Sequence, residues 1–218
     1  MTPSQAVHSA PESSLVGSIS GRSPERVRPG AKTVLCLAML AYTCTWMDRS
    51  LLLILIEPIK TNLGLSDTEM GVLVGFAFSV VYSVSSLPLS HWIDRGSRRV
   101  ILSVAIAAWS IATMFSGLAN GILGLVACRL TVAVFESACN PACYSLISGY
   151  FSPAMRGRAT AIYNLGISLG LWIGLTLGGI IEQRVGWRVT FVIMGIPGLL
   201  LSGLTFLLIK DPPRASWK

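Results

Sequence analysis

Four ionisable residues stand inside long apolar stretches of this sequence: Asp48 and Arg49 in one, Arg129 and Glu136 in another. A charge at the middle of a bilayer costs roughly 2.5–3.5 kcal/mol on insertion scales, so such groups face a bundle interior or a wet cavity and pair there. Two acids and two guanidiniums in such a place can exchange protons at the carboxylates and hold an anion at the cations. Arg129 and Glu136 are seven residues apart, nearly two helical turns, which puts them on one face about 10 Å apart along the axis. Asp48 and Arg49 are adjacent and diverge by about 100°. Two other readings of these residues stand beside this one: static pairs that tie helices together, or Asp48 and Arg49 snorkelling to the outer surface.

The elements that must position these groups follow from composition. Of 218 residues, 52% are hydrophobic and 12% charged, about half the charge of ordinary soluble domains. Six apolar segments follow one another, near Thr33–Ile56, Met70–Ser90, Val100–Leu118, Ile122–Ile147, Ala159–Ile181 and Val189–Ile209. Each is long enough to cross a hydrocarbon core of about 30 Å at 1.5 Å per residue, the fourth with tilt. Backbone polar groups in lipid must be satisfied internally, so the expected fold is an all-α membrane bundle of six helices. Residues 1–31, with Pro3, Pro11, Pro24, Pro29 and many Ser, are expected to be a disordered cytosolic tail and carry no cleavable signal pattern. Residues 32–210 are the expected bundle, and 211–218 the start of a cytosolic linker.

The net charge of +7 is distributed unevenly. With the amino terminus inside, twelve of the 17 Lys and Arg fall in cytosolic segments, while only Lys60, Arg184 and Arg188 fall in outer loops. This asymmetry places both termini in the cytosol and makes the basic balance a topology signal, with no nucleic-acid partner implied. The first segment then runs outward and reaches Asp48 roughly 22 Å in, and the fourth runs inward and reaches Arg129 roughly 10 Å in, so an Asp48–Arg129 ion pair is expected. Other chemistry is thin. Cys36, Cys44, Cys128, Cys139 and Cys143 all fall in the apolar segments and read as buried thiols; Cys139 and Cys143 lack two further ligands for a closed metal site. His8 lies in the tail, and His91 is expected at the surface end of the second segment. There is no Ser/His or Glu/His pair at membrane depth and no phosphate loop of the Gly-x-x-x-x-Gly-Lys-Ser/Thr type, so neither a protease nor an ATP-driven pump is indicated and no cofactor is implied.

Between the second and third segments the chain reads Ser90-His91-Trp92-Ile93-Asp94-Arg95-Gly96-Ser97-Arg98-Arg99. An acid among these bases can pair with an Arg or cap a neighbouring helix and release as helices move, which makes Asp94, Arg95, Arg98 and Arg99 a candidate gating loop. This stretch resembles the major facilitator superfamily, whose corresponding loop carries a Gly-x-x-x-Asp-Arg-x-Gly-Arg-Arg/Lys pattern; Ser90 and Ser97 replace its glycines. Met47-Asp48-Arg49, Arg129 with Glu136 and Pro141, Arg156-Gly157-Arg158-Ala159, Gly186-Trp187-Arg188 and Asp211-Pro212-Pro213-Arg214 extend the likeness from about Lys32 to Arg214 and are most similar to the spinster-like branch, with anion:cation symporters second. Ala133-Val134-Phe135 stands where relatives usually place glycines, so Phe135 either narrows the cavity or tightens packing. Gly166, Gly170, Gly174 and Gly178 in the fifth segment are spaced for close helix approach. The Gly-Pro pair of antiporter relatives is absent from that segment.

The resemblance implies six helices arranged as two inverted three-helix repeats, one half of a twelve-helix secondary transporter that works by alternating access. Acids with nearby Arg on opposite sides of the membrane, Asp94 with Arg95 and Arg98 and Glu182 with Arg184 and Arg188, fit that inversion. It implies a small organic anion or an amphiphilic lipid as cargo and a proton as partner, within membrane lipid and opposite a second six-helix half. Glu136 is the expected proton carrier, with Asp48 second, and Arg129 the cation that Glu136 and the cargo share. The other readings of so short a chain are a truncated, transport-inactive membrane interaction protein and a channel-like homo-oligomer.

Overall fold

The computed structural model describes residues 27–211; the rest of the expected tail, His8 included, and the linker beyond Asp211 lie outside the described residues. Those described are almost entirely helical, with one isolated antiparallel bridge between Val27 and Phe151. Helix α1 is Ala31–Leu63, α2 Asp67–Arg95, α3 Arg98–Ser116 and α4 Ile122–Tyr150, and a last helical stretch runs over Pro153–Leu208. Its 56 residues would span about 84 Å if straight, more than twice a bilayer core. It is broken at Gly186, whose φ of 78° and ψ of 164° lie outside the helical region and suit only glycine. Residues 153–185 are therefore α5 and residues 187–208 α6, giving the expected six.

The boundaries differ from the sequence reading where local chemistry extends a helix past its apolar run. α1 continues seven residues beyond Ile56 and ends on Gly64 in the left-handed conformation, its N–H returning to Lys60 O. Lys60 thus sits in the last helical turn, where it pairs with Asp67 at 2.6 Å. α2 starts three residues early because Ser66 and Glu69 form a capping box. It contains a π-helical stretch at Val72–Ala77. α4 is interrupted between Glu136 and Cys139: Pro141 has no N–H for the Ser137 carbonyl, and its ring crowds it.

The expected loop at 90–99 is nearly all helix. Asp94 and Arg95 end α2, Arg98 and Arg99 begin α3, and only Gly96 and Ser97 lie between. An acid at a C-terminus and bases at an N-terminus both oppose the helix dipole. The Asp94 side chain is exposed and makes no hydrogen bond or ion pair among the described residues. The capping acid for α3 is instead Asp211, which accepts from Ser97 Oγ and, at 2.9 Å, from the Arg99 N–H. Asp211→Ala is expected to lose about 1 kcal/mol and to speed hydrogen exchange at Arg99 and Val100, while Asp94→Ala leaves both unchanged.

Packing follows the inverted-repeat pattern. α1 lies against α5 through Gly166, Gly170 and Gly174, α3 against α6 through Gly195, Gly198 and Ser202, and α2 against α4. α6 brackets α3: beyond its end Asp211 caps the α3 N-terminus, and at its start Arg188 donates to Gly117 O at 3.3 Å and Ala119 O at 2.6 Å at the α3 C-terminus. Tyr150 Oη donates to Lys210 O at 2.5 Å, and the Arg28 N–H to Tyr150 O at 3.0 Å. The two described ends of the chain therefore meet on one side of the bundle, as an even number of crossings requires. Against expectation, Cys36 is exposed; Cys139 and Cys143 are buried.

Candidate functional site

The four intramembrane charges come together where α1 and α4 approach, and they form two ion pairs of unequal access. Arg129 Nη1 donates to Asp48 Oδ2 at 2.9 Å, with the side chains 2% and 6% exposed. Asp48 Oδ1 accepts from Thr113 Oγ1 on α3 at 2.7 Å. A cavity of about 10 Å³ beside Asp48, lined by Cys44, Trp109, Ser110, Thr113 and Met194 among others, has room for about one water. This pair is sealed within protein.

The second pair is open on one side. Arg49 Nε donates to both Glu136 carboxylate oxygens at 3.2 Å, and Arg49 Nη2 to Oε2 at 3.2 Å. Glu136 is 1% exposed, whereas the Arg49 side chain is 30% exposed. Three aromatic side chains surround that guanidinium: its carbon lies 4.7 Å from the Tyr82 ring centroid, 5.3 Å from Phe78 and 5.5 Å from Trp46. Phe78 also lies 5.5 Å from the Arg129 guanidinium, so one ring touches both cations.

The expected Asp48–Arg129 pair is present. Glu136, however, takes Arg49 and not Arg129 as its partner. The reason is angular: Asp48 and Arg49 diverge around α1 by about 100°, so α1 delivers an acid to Arg129 and a base to Glu136 at once. Phe78, Tyr82 and Thr113 were not among the expected site residues. The i, i+4 spacing of Phe78 and Tyr82 on α2 was their only signal. Asp94, Arg95, Arg98 and Arg99 lie at the α2–α3 junction, apart from these two pairs. Phe135 packs partly buried against the core and lines a groove between α3 and α4 with Ile111, Phe115 and Cys128, so it serves packing.

The glycines of α5 back this arrangement. A Cβ at Gly166 would stand 2.7 Å from Met39 O, one at Gly170 would strike Thr43 O, and one at Gly174 would strike Ser50 Oγ and stand 2.6 Å from Met47 O. All these atoms belong to α1, whose close approach seats Asp48 and Arg49 against α4.

Residues 38–218 match the sequence profile of the Major Facilitator Superfamily. The chain belongs to that superfamily. It is 33% identical over 201 residues to an MFS-type efflux pump of Mycolicibacterium smegmatis, covering 92% of this chain and 46% of the relative. It is 29% identical to the D-galactonate transporter of Escherichia coli, covering 86% and 44%. Among solved structures, a bacterial homolog of the human lysosomal transporter Spinster, inward-facing and occupied, superposes with a TM-score of 0.82 at 31% identity, covering 87% of this chain and 46% of that one. The chain thus spans about half the length of these relatives. The spinster-like resemblance and the half-transporter fold hold, and the protein is a multi-pass membrane protein of a transporter family, not an enzyme.

Proposed function

We propose that this chain forms one wall of a proton-coupled secondary transporter for a small organic anion, with Arg49 as the anion-binding group and Glu136 as the proton carrier. The observation that carries this reading is the unequal access of the two pairs. Arg49 opens beside half-exposed Tyr82 and Trp46, while its partner Glu136 lies behind it. An incoming carboxylate can replace Glu136 on the guanidinium, and the displaced Glu136, still buried, is then relieved of its charge by a proton. Charge in the site is balanced before and after the exchange. Asp48, held by Arg129 and Thr113, is the second carrier and the more slowly exchanging one. Several relatives carry names in keeping with anionic cargo, among them the D-galactonate transporter and a hexuronate transporter of Bacillus subtilis. Arg49 favours that class over an amphiphilic lipid. The basic rim at Arg95, Arg98, Arg99, Arg156 and Arg158 supports a cytosolic location for the side on which both described ends meet. A second six-helix half, from another copy or another chain, completes the cavity.

The test is uptake of D-galactonate into liposomes containing the protein, driven by a pH gradient. Wild type is expected to show saturable, gradient-dependent uptake, and Glu136→Gln to lose it while melting at the same temperature. Proton movement at the wild-type rate in Glu136→Gln overturns the carrier assignment. Flux without saturation favours a channel-like oligomer, and no flux a transport-inactive interaction protein.

A further inference from the structure

One cluster next to the site is not used by the two ion pairs. Asn140 lies one turn beyond Glu136 on α4 and is half-buried. Its amide oxygen accepts from Tyr163 Oη of α5 at 2.6 Å. Tyr163 is fully buried and has one ring orientation open to it: it stacks on Tyr42 at 4.5 Å with 8° between planes, and Tyr144 meets it edge-on at 5.4 Å. A ring clamped on two sides fixes the position of its hydroxyl, and that hydroxyl takes the Asn140 amide oxygen as its acceptor. The amide nitrogen is thereby turned outward, toward Tyr82 Oη at the long distance of 3.5 Å. Its second N–H has no partner among the described residues.

Tyr82 is the same ring that lies 4.7 Å from the Arg49 guanidinium. The wall therefore presents, around one tyrosine, a cation and a carboxamide donor held in a set orientation. Arg49, Tyr82 and Asn140 are half-exposed at mid-helix and Tyr144 is 44% exposed, and a guanidinium at that depth belongs in a bundle interior or a wet cavity, not in hydrocarbon. A donor fixed in this way discriminates between ligands: one that offers no acceptor leaves the N–H desolvated and unpaired.

We infer that Asn140 is a specificity-determining residue, oriented by Tyr163, that reads a hydroxyl or carbonyl oxygen on the anion whose charged group sits on Arg49. The inference rests on the anion reading above and narrows it to hydroxylated carboxylates. Tyr163 acts through Asn140 and is a positioning residue.

The experiment is calorimetric binding to the purified full chain in lipid nanodiscs, with two probes of equal carbon number, D-galactonate and hexanoate. Wild type is expected to bind D-galactonate at least about tenfold more tightly than hexanoate. Asn140→Ala should reduce the ratio to about twofold or less, with hexanoate affinity unchanged. Because that variant takes the carboxamide acceptor from the buried Tyr163 hydroxyl, the double variant Asn140→Leu with Tyr163→Phe removes both partners together; it should show the same lost ratio at a wild-type melting temperature. Tyr163→Phe alone frees the amide to rotate and should give an intermediate ratio, a result that loss of packing alone does not produce. An unchanged ratio in the double variant, with Arg49→Gln weakening both probes, overturns the Asn140 assignment and leaves the anion reading standing. Binding of neither probe by wild type, or equal binding by wild type and Arg49→Gln, overturns the anion reading and this inference with it.

Discussion

Arg129→Ala is expected to lower stability by about 3–5 kcal/mol, measured as the unfolding midpoint in detergent and converted against wild type. The size comes from what remains behind. Asp48 is 5% exposed and would keep only the Thr113 hydroxyl as a partner. An ionised carboxylate in that position has lost its water and its counter-ion together. Asp48→Asn should also be costly, because it leaves a cation that is 2% exposed with no charge opposite it. The decisive comparison is the double replacement Asp48→Leu with Arg129→Met, which removes both charges and should return stability to within about 1 kcal/mol of wild type or above it. Stability that stays low in the double variant would show that the pair's shape, not its charge balance, holds α1, α3 and α4 together. Uptake should be lost in all three variants, so stability and transport separate only in the double one.

The charged pairs also show what the sequence could and could not disclose. Charges inside apolar runs are visible in one dimension, and opposite helix directions bring Asp48 and Arg129 to similar depth, which is why that pair was expected. Which acid meets Arg49 depends on rotation about α1, and rotation is set by the α5 surface behind it. The six crossings were legible because a bilayer imposes a length, yet their ends were not, because capping residues such as Ser66 and Gly64 act outside the apolar window that marks a span. Pro141 was visible as a residue, but its effect falls on the carbonyl four positions earlier and so opens α4 just after Glu136. Asp211 was visible as part of a motif, but its partners Ser97 and Arg99 lie more than 100 residues away. Tyr163 and Asn140 carried no signal at all, since a tyrosine and an asparagine in apolar helices have no characteristic spacing until a third helix joins them.

Gly174→Leu is expected to prevent α1 from docking, and Gly174→Ala to cost about 1–3 kcal/mol. The four glycines of the α5 stripe look equivalent in sequence, but their surroundings rank them. At Gly166, Gly170 and Gly174 an added Cβ meets α1 backbone atoms, which cannot turn aside. At Gly178 it meets only Leu51 Cδ1 at 2.7 Å, the far end of a flexible side chain, and at neighbouring Gly179 only Ile54 Cδ1 at 3.6 Å. Alanine at 178 should therefore cost less than at 174, and at 179 it should stay within about 0.5 kcal/mol of wild type. The ranking bears on the site because Met47, whose carbonyl faces Gly174, immediately precedes Asp48 and Arg49. A wedge that pushes α1 outward by even part of a methyl group lengthens Asp48–Arg129 and Arg49–Glu136 together. Gly174→Ala should then weaken D-galactonate binding and lower the unfolding midpoint in the same variant, whereas Gly179→Ala changes neither. If Gly174→Ala melts early but binds as wild type, the α5 groove supports the bundle without setting the position of Arg49.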